Sequence, residues 1–235
     1  MSISATKMAG LGLALVALVS CSSAAPATDA SPAPAPQAAP VPASQAPPTP
    51  SRALEYTEQR LLATDAALKP PAYPVRTNPD GSWLTRGAKD WTSGFYAAAL
   101  WKTYERTHDP SWRRLAETWQ AGLETETAHD DTGLGFKLFD TYGVAYQLTG
   151  DESYKKVVLR AADTVARRYD PDVGMFRVWD DADDTTQYQV NIDALMNLEL
   201  MFWAGQNGGN PQHAAMAEHH ALRTLQDLVL SLIHI

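Results

Sequence analysis

The sequence predicts an all-α fold of repeated helical hairpins, an α/α toroid or an α-solenoid. Three observations carry that prediction. A helical unit recurs after Trp91 at an irregular spacing of about 40 to 60 residues. In each copy an apolar, aromatic first helix precedes an amphipathic second one, and helices apolar all round are buried. No segment sustains a period-two alternation bounded by turn signals, which argues against a sheet-based fold.

Along the 235 residues, the first feature is Lys7 followed by an apolar run from Met8 to Val19 and then Ser20-Cys21-Ser22. This is the layout of a secretory signal, shorter than the ~20 apolar residues of a spanning helix. The single cysteine, Cys21, stands where a bacterial lipoprotein box places it. Residues 1–21 are therefore expected to be a lipoprotein signal, with Cys21 lipidated and the folded part outside the membrane, in the periplasm or at the cell surface. Residues 22–50 hold nine Pro and ten Ala in 29 positions, with Asp29 as their one charge. Such a stretch buries no core and is expected to be a disordered, semi-rigid spacer.

Residues 51–229 are left for one domain, which carries all seven Trp. In the chain from Ser51 onward, 18 Lys and Arg face 26 Asp and Glu. An acidic chain with no basic run argues against non-specific nucleic-acid binding, which needs positive charge along the phosphates.

From Arg52, Leu54, Leu61, Leu62 and Ala66 fall at helical spacing. Pro70, Pro71, Pro74 and Asn78-Pro79-Asp80-Gly81 then break the pattern. The first pair of helices is expected over Thr92–Thr107 and Ser111–Leu123, the second over Phe136–Leu148 and Glu152–Tyr169, the third over Ile192–Gln206 and Gln212–Val229. Asp109, Asp151 and Asn210 stand as caps at the turns, and Pro110 and Pro211 follow where a missing N–H does no harm.

If first helices are inner and second helices outer, every segment leading into a first helix lies at one end of the assembly. Those segments run over Trp83–Trp91, Glu124–Gly135 and Gly174–Asn191, the last leading into Asp193. They bring two carboxylates, His129 and the indoles of Trp91 and Trp179 to one rim. Asp193 opens a helix among apolar residues; burial would favour its protonated form, the helix N-terminus its ionised form, and simple N-capping is the plainer role. Asp130, in a polar loop beside His129 and Asp131, is expected to stay ionised. Two carboxyls held in opposite protonation states do acid and base work on glycosides. Indole faces suit the apolar face of a sugar ring, although each Trp also suits a core.

At these residues the chain resembles a known family. Trp91-Thr92-Ser93-Gly94-Phe95, His129-Asp130 followed by Gly135-Phe136, Leu148-Thr149-Gly150-Asp151 and Ile192-Asp193-Ala194-Leu195-Met196-Asn197-Leu198 are similar, in order and spacing, to the unsaturated glucuronyl hydrolases of glycoside hydrolase family 88. The resemblance implies an (α/α)6 barrel. It implies hydration of the C4–C5 double bond of a Δ4,5-unsaturated uronic acid at the non-reducing end of lyase-generated oligosaccharides, with no cofactor and no metal. By resemblance Asp193 is the acid/base, Asp130 the second catalytic carboxylate, and Trp91, His129 and Trp179 line the saccharide subsite. Between His129-Asp130 and Gly135-Phe136 this chain carries Asp131-Thr132-Gly133-Leu134, so Asp131 competes with Asp130. Glu199 stands where the family pattern has an uncharged residue, and a change in inner-helix packing is expected there. Seven helices make three and a half hairpins against the six of the barrel. The chain thus reads as an N-terminal part that is inactive alone, with Leu230-Ser231-Leu232-Ile233-His234-Ile235 an artefactual tail.

Two rivals remain at this stage: unsaturated rhamnogalacturonyl hydrolase chemistry, and a helical-repeat lipoprotein that binds glycans without turning them over. Asp180–Asp184 lacks the glycine and distal glutamate of a calcium loop and reads as a solvated acidic stretch. His213, His219 and His220 form no HExxH pair and are expected at the surface of an outer helix, as are Lys155-Lys156 and Arg167-Arg168.

Overall fold

The structure is a computed structural model and describes residues 49–178 and 188–229. Cys21, the Ala/Pro spacer up to residue 48, Trp179, the Asp180–Asp184 stretch and residues 230–235 lie outside the described residues.

Helix α1 (Pro50–Ala67) starts before Arg52, because Thr49 caps it by accepting from the Arg52 N–H (3.4 Å) and Pro50 fits the first turn. Leu54 and Leu62 stay exposed. The helix docks through polar anchors: the Tyr96 hydroxyl donates to the Leu61 carbonyl (2.7 Å) and the Trp119 indole N–H to Asp65 (2.9 Å). The proline-rich break that follows is a β-hairpin, unforeseen in the sequence. Strand β1 (Tyr73–Thr77) pairs antiparallel with β2 (Trp83–Arg86), and Pro74 sits beside a register shift, where a strand tolerates proline. Gly81 closes the turn at φ +84°, and Asp80 accepts from the Ser82 N–H (2.9 Å).

Three helix pairs follow. Helix α2 (Phe95–Thr107) ends at His108 in the left-handed region, and Asp109 caps α3 (Pro110–Gln120) by accepting from the Ser111 N–H (2.8 Å). The second pair opens with a π-helix, Gly135–Gly143, continuing as α4 (Val144–Thr149); after Gly150, Asp151 caps α5 (Glu152–Ala166) through the Ser153 N–H (2.8 Å). The third opens with a 3-10 helix, Ile192–Asn197, continuing as α6 (Leu198–Gln206). It closes with α7 (Gln212–Asp227), where Asn210 accepts from the Gln212 N–H (3.0 Å). Asp109 and Asp151 cap where the sequence places them; the N-cap position of α7 falls on Pro211, one residue past the expected Asn210.

All three second helices end earlier than expected, α7 by two residues. Helix α3 tightens at Ala121 into a 3-10 helix, Ala121–Ala128, which buries Leu123 and Glu126. Helix α5 stops at Ala166, and a small hairpin of β3 (Tyr169–Asp170) and β4 (Met175–Phe176) follows.

The first helices lie side by side, α2 on the π-helix and the π-helix on α6, while α5 packs behind the latter two. This is the layered order of an α/α toroid, of which the described residues form a part. The core centres on Trp101 and Trp119, both without exposed surface; the Trp101 N–H donates to Gln120 (2.6 Å). The first helices are less uniformly buried than their composition indicates, since Lys102, Glu105 and Glu199 face solvent. Glu199 leaves the packing intact: Leu198, Leu200 and Met201 around it are buried.

Helix α7 is rotated relative to expectation. His213 and His220 are buried (2% and 0% exposed) while Leu222 and Leu225 are exposed. His220 is held inside because its Nδ1 accepts the otherwise unpaired Phe176 N–H (3.0 Å). Among the described residues no helix is long and apolar enough to cross a membrane.

Candidate active site

The segments leading into the three first helices meet at one end. In the first, Asp90 Oδ1 accepts from the Thr92 N–H (3.0 Å) and hydroxyl (2.6 Å), and the Ser93 hydroxyl donates to the Ala88 carbonyl (2.8 Å). These bonds fix a tight turn that leaves Trp91 55% exposed. Gly94 then passes so near the second segment that a Cβ there would lie 2.5 Å from the Phe136 carbonyl oxygen. Trp91, Phe95 and Phe136 form an aromatic wall, with ring centroids 5.2 to 5.7 Å apart.

The second segment leaves the 3-10 helix at His129. Asp131 Oδ1 accepts from the Gly133 N–H (2.7 Å), and Asp131 Oδ2 is ion-paired with Lys137. Lys137 has no exposed surface, and its ammonium also meets Glu126 Oε2 (3.0 Å) and donates to the carbonyls of Ala88 (3.4 Å) and Lys89 (3.3 Å). A buried charge needs such partners.

In the third segment Asn191 caps the 3-10 helix, its Oδ1 accepting from the Ala194 N–H (3.1 Å). Asp193 is thereby free of the capping role, and its side chain is exposed, so the burial expected from its apolar neighbours does not occur: Ile192 and Met196 are themselves turned outward. Asn197 is buried and joins two segments, accepting from the Gly135 N–H (2.9 Å) and donating to the Thr132 carbonyl (2.8 Å). Any side chain at Gly135 would run into the Met196 carbonyl.

The three segments enclose a cleft of about 610 Å³, lined among others by Lys89, Trp91, Asp131, Phe136, Asn191 and Asp193. Of the residues expected at the site, Trp91 and Asp193 lie on this cleft, together with Asp131. Asp130 is not among the lining residues: its Oδ1 accepts from Arg168 Nε (2.6 Å) and its carbonyl from Arg168 Nη2 (3.3 Å). His129 opens instead onto an adjoining recess with Arg86 and Lys89, and its Nδ1 lies 3.3 Å from Glu126 Oε1. Trp179 lies outside the described residues.

Arg168, expected on the surface, is 9% exposed and also donates to the Arg177 and Val178 carbonyls (3.3 and 3.2 Å), so it ties Asp130 to the segment that follows β4. Asp140, one turn beyond Lys137 on the π-helix, is pushed up to about 6 by burial, with the Glu199 charge adding and Lys102 opposing. Among the described residues no group of three or more His, Cys, Asp or Glu is placed to hold a metal ion.

Sequence reasoning missed Lys137 and Asn197. A signal for the first was present: a lone cation inside the apolar run Gly135-Phe136-Lys137-Leu138-Phe139 must find a carboxylate or carbonyls when that run is buried. Nothing in the sequence singled out Asn197 for its role.

Comparison with known proteins agrees with the helical fold. The sequence profile of Glycosyl Hydrolase Family 88 matches residues 72–229. The chain is 36% identical over 141 residues to the unsaturated glucuronyl hydrolase of Formosa agariphila, covering 59% of this chain and 35% of that protein. It is 31% identical over 162 residues to the unsaturated glucuronyl hydrolase of Bacillus sp. strain GL1, covering 67% and 43%. A solved structure of an unsaturated glucuronyl hydrolase specific for heparin superposes with a TM-score of 0.70 at 33% identity, covering 75% of this chain and 47% of that one. The chain thus spans less than half the length of each of these relatives. With a matched profile over most of the described residues and a shared helical architecture, the chain belongs to glycosyl hydrolase family 88.

Proposed function

We propose that this chain supplies the cleft of an unsaturated uronyl hydrolase, acting on the Δ4,5-unsaturated glucuronic acid that a polysaccharide lyase leaves at a non-reducing end. The observation that carries the reading is the pairing of Asp131 and Asp193 on one cleft with an aromatic wall of Trp91 and Phe136, in a chain of this family. The unsaturated uronide is an enol ether, C4=C5–O5. Asp193 delivers a proton to C4, and the cation formed at C5 is stabilised by the ring oxygen. Water adds at C5 as the Asp193 carboxylate takes its proton, giving a hemiketal. The C5–O5 bond then opens to a ketone, and the hemiacetal left at C1 collapses, releasing the next sugar. Asp131 supports the positive charge that develops at C5 and orients the water. The sugar's apolar face rests on Trp91.

The test follows the ultraviolet absorbance of the enol ether in lyase-generated disaccharides incubated with the product of the complete gene. The absorbance decays with the native protein and decays about 100-fold or more slowly with Asp193→Asn, the scale of a lost general acid. Unchanged decay in that variant contradicts the reading. Glucuronyl and galacturonyl non-reducing ends compared side by side separate glucuronyl from rhamnogalacturonyl chemistry, and glucuronyl turnover is the expected result.

We also infer that Cys21 carries a lipid anchor that holds the domain at a membrane surface in the periplasm or outside the cell, a reading supported by the n-region, the apolar run and the position of the cysteine. Cys21→Ser should release the protein from the membrane fraction; retention there argues against lipidation.

A further inference from the structure

Lys137 is the least expected charge in the molecule. It sits in an apolar stretch with no exposed surface, so it cannot touch a saccharide, and its ammonium faces two carboxylates, Glu126 and Asp131. Only Asp131 reaches the cleft. The Asp131 carboxylate is held at both oxygens: Oδ1 by the Gly133 N–H two residues on (2.7 Å), Oδ2 by the ammonium six residues on. The same ammonium bonds the carbonyls of Ala88 and Lys89, immediately before the turn that presents Trp91.

We propose that Lys137 is a positioning residue that locks the orientation of the Asp131 carboxylate in the cleft, with Glu126 as the buried counter-charge that keeps the ammonium in place. The proposal rests on the reading of the cleft as a site of uronyl hydration. Without the ammonium, Asp131 keeps one hydrogen bond from the neutral Gly133 N–H on its own turn, and only that bond opposes rotation about its side-chain bonds. Glu126 places one oxygen on Lys137 and the other 3.3 Å from His129 Nδ1, beside the adjoining recess. Charge-assisted contacts of this kind are shorter and stronger than neutral ones, and a misplaced catalytic group loses rate rather than substrate affinity.

The test uses the product of the complete gene and the enol-ether assay. Lys137→Ala should lower kcat about 100-fold, the scale of a misoriented group, with KM within about threefold. Propylamine, which restores a cation in the space left, should recover part of kcat; propanol, of similar size and neutral, should not. Equal rescue by both, or a rise in KM alone, overturns the proposal in favour of packing. Should Lys137→Ala fail to fold, Lys137→Met combined with Glu126→Gln removes the fully buried pair together and leaves only Asp131, which reaches the cleft, without its counter-charge. In that double variant kcat stays low at a melting temperature near native, and native kcat there overturns the proposal. Asp131→Asn is measured beside them: if it keeps native kcat, the reading of the cleft itself has failed, whereas its loss of activity with none in the Lys137 variants sinks only the role of Lys137.

Discussion

At Gly135 a single hydrogen in place of a side chain lets two helix starts touch, since the Met196 carbonyl occupies the space a Cβ would need and the Asn197 Cα lies 3.1 Å from it. Both neighbours are backbone and cannot swing aside, so Gly135→Ala forces the segments apart. The expected loss is about 1–3 kcal/mol, measured by urea unfolding, and a neutral result would contradict the close approach. A truncation in the core provides the scale: Trp101→Ala, at a residue with no exposed surface, should cost about 3–5 kcal/mol. Residue by residue, the sequence was legible where chemistry and position agree. Asp193 at a helix start and Trp91 before one both lie on the cleft. The choice between Asp130 and Asp131 was not legible, because adjacent residues point to opposite sides and only the Gly133 turn and the positions of Arg168 and Lys137 decide which carboxylate meets the cleft. Arg168 escaped because a cation at helical spacing reads as solvated until the fold supplies a carboxylate or carbonyls, whereas Lys137 carried its signal in the apolar run around it.

Among the elements, α7 carries a pH-sensitive contact. Burial pushes His220 down from 6.5 to about 4, and in the neutral form its Nδ1 accepts the Phe176 N–H. The folded state therefore binds fewer protons than the unfolded state between these values. Its contribution is intact above pH 6.5 and is lost as pH falls toward 4, by about 3 kcal/mol in all at ~1.4 kcal/mol per unit. Asp140 works in the opposite sense: raised from 3.8 to about 6, it binds more protons when folded, so its contribution weakens as pH rises through that window. Burial also pushes His213 down, with the Asp163 charge opposing, so it adds to the acid-side loss. Unfolding measured from pH 7 to 4 should thus give a shallow native profile, and His220→Asn should reduce the acid-side loss and tilt the profile upward toward low pH. Parallel profiles for the two proteins would contradict the assignment. Helix pairs and their caps were legible because Asp, Pro and Gly mark the turns and apolar spacing marks the faces. The β1–β2 hairpin was not, since prolines that read as a break are also tolerated beside a register shift. Neither was the π-helical turn over Gly135–Gly143, whose extra residue per turn leaves no mark in a 3.6-residue pattern.

On the scale of the whole molecule, the alternation of inner and outer helices fixed the most useful expectation, that the three lead-in segments share one end. The structure places Trp91, Asp131 and Asp193 on one cleft there. The same scale holds a feature the composition concealed: α7 exposes Leu222 and Leu225, continued by Leu228 just past its end, an apolar stripe on a helix whose other side is packed. Such a stripe favours association in water. Leu222→Glu with Leu225→Glu should lower light scattering and hydrophobic-dye binding of the chain while its helical circular dichroism is unchanged; equal scattering in native and variant chains would contradict that role.

The central claim, that Asp131 and Asp193 act together across the cleft, is tested most directly by comparing kcat for Asp130→Asn, Asp131→Asn and Asp193→Asn on one unsaturated glucuronyl disaccharide, with all three proteins expressed from the complete gene. The Asp131 and Asp193 variants should each lose about 100-fold or more, while the Asp130 variant stays within about tenfold of native. An inactive Asp130 variant beside an active Asp131 variant would contradict it.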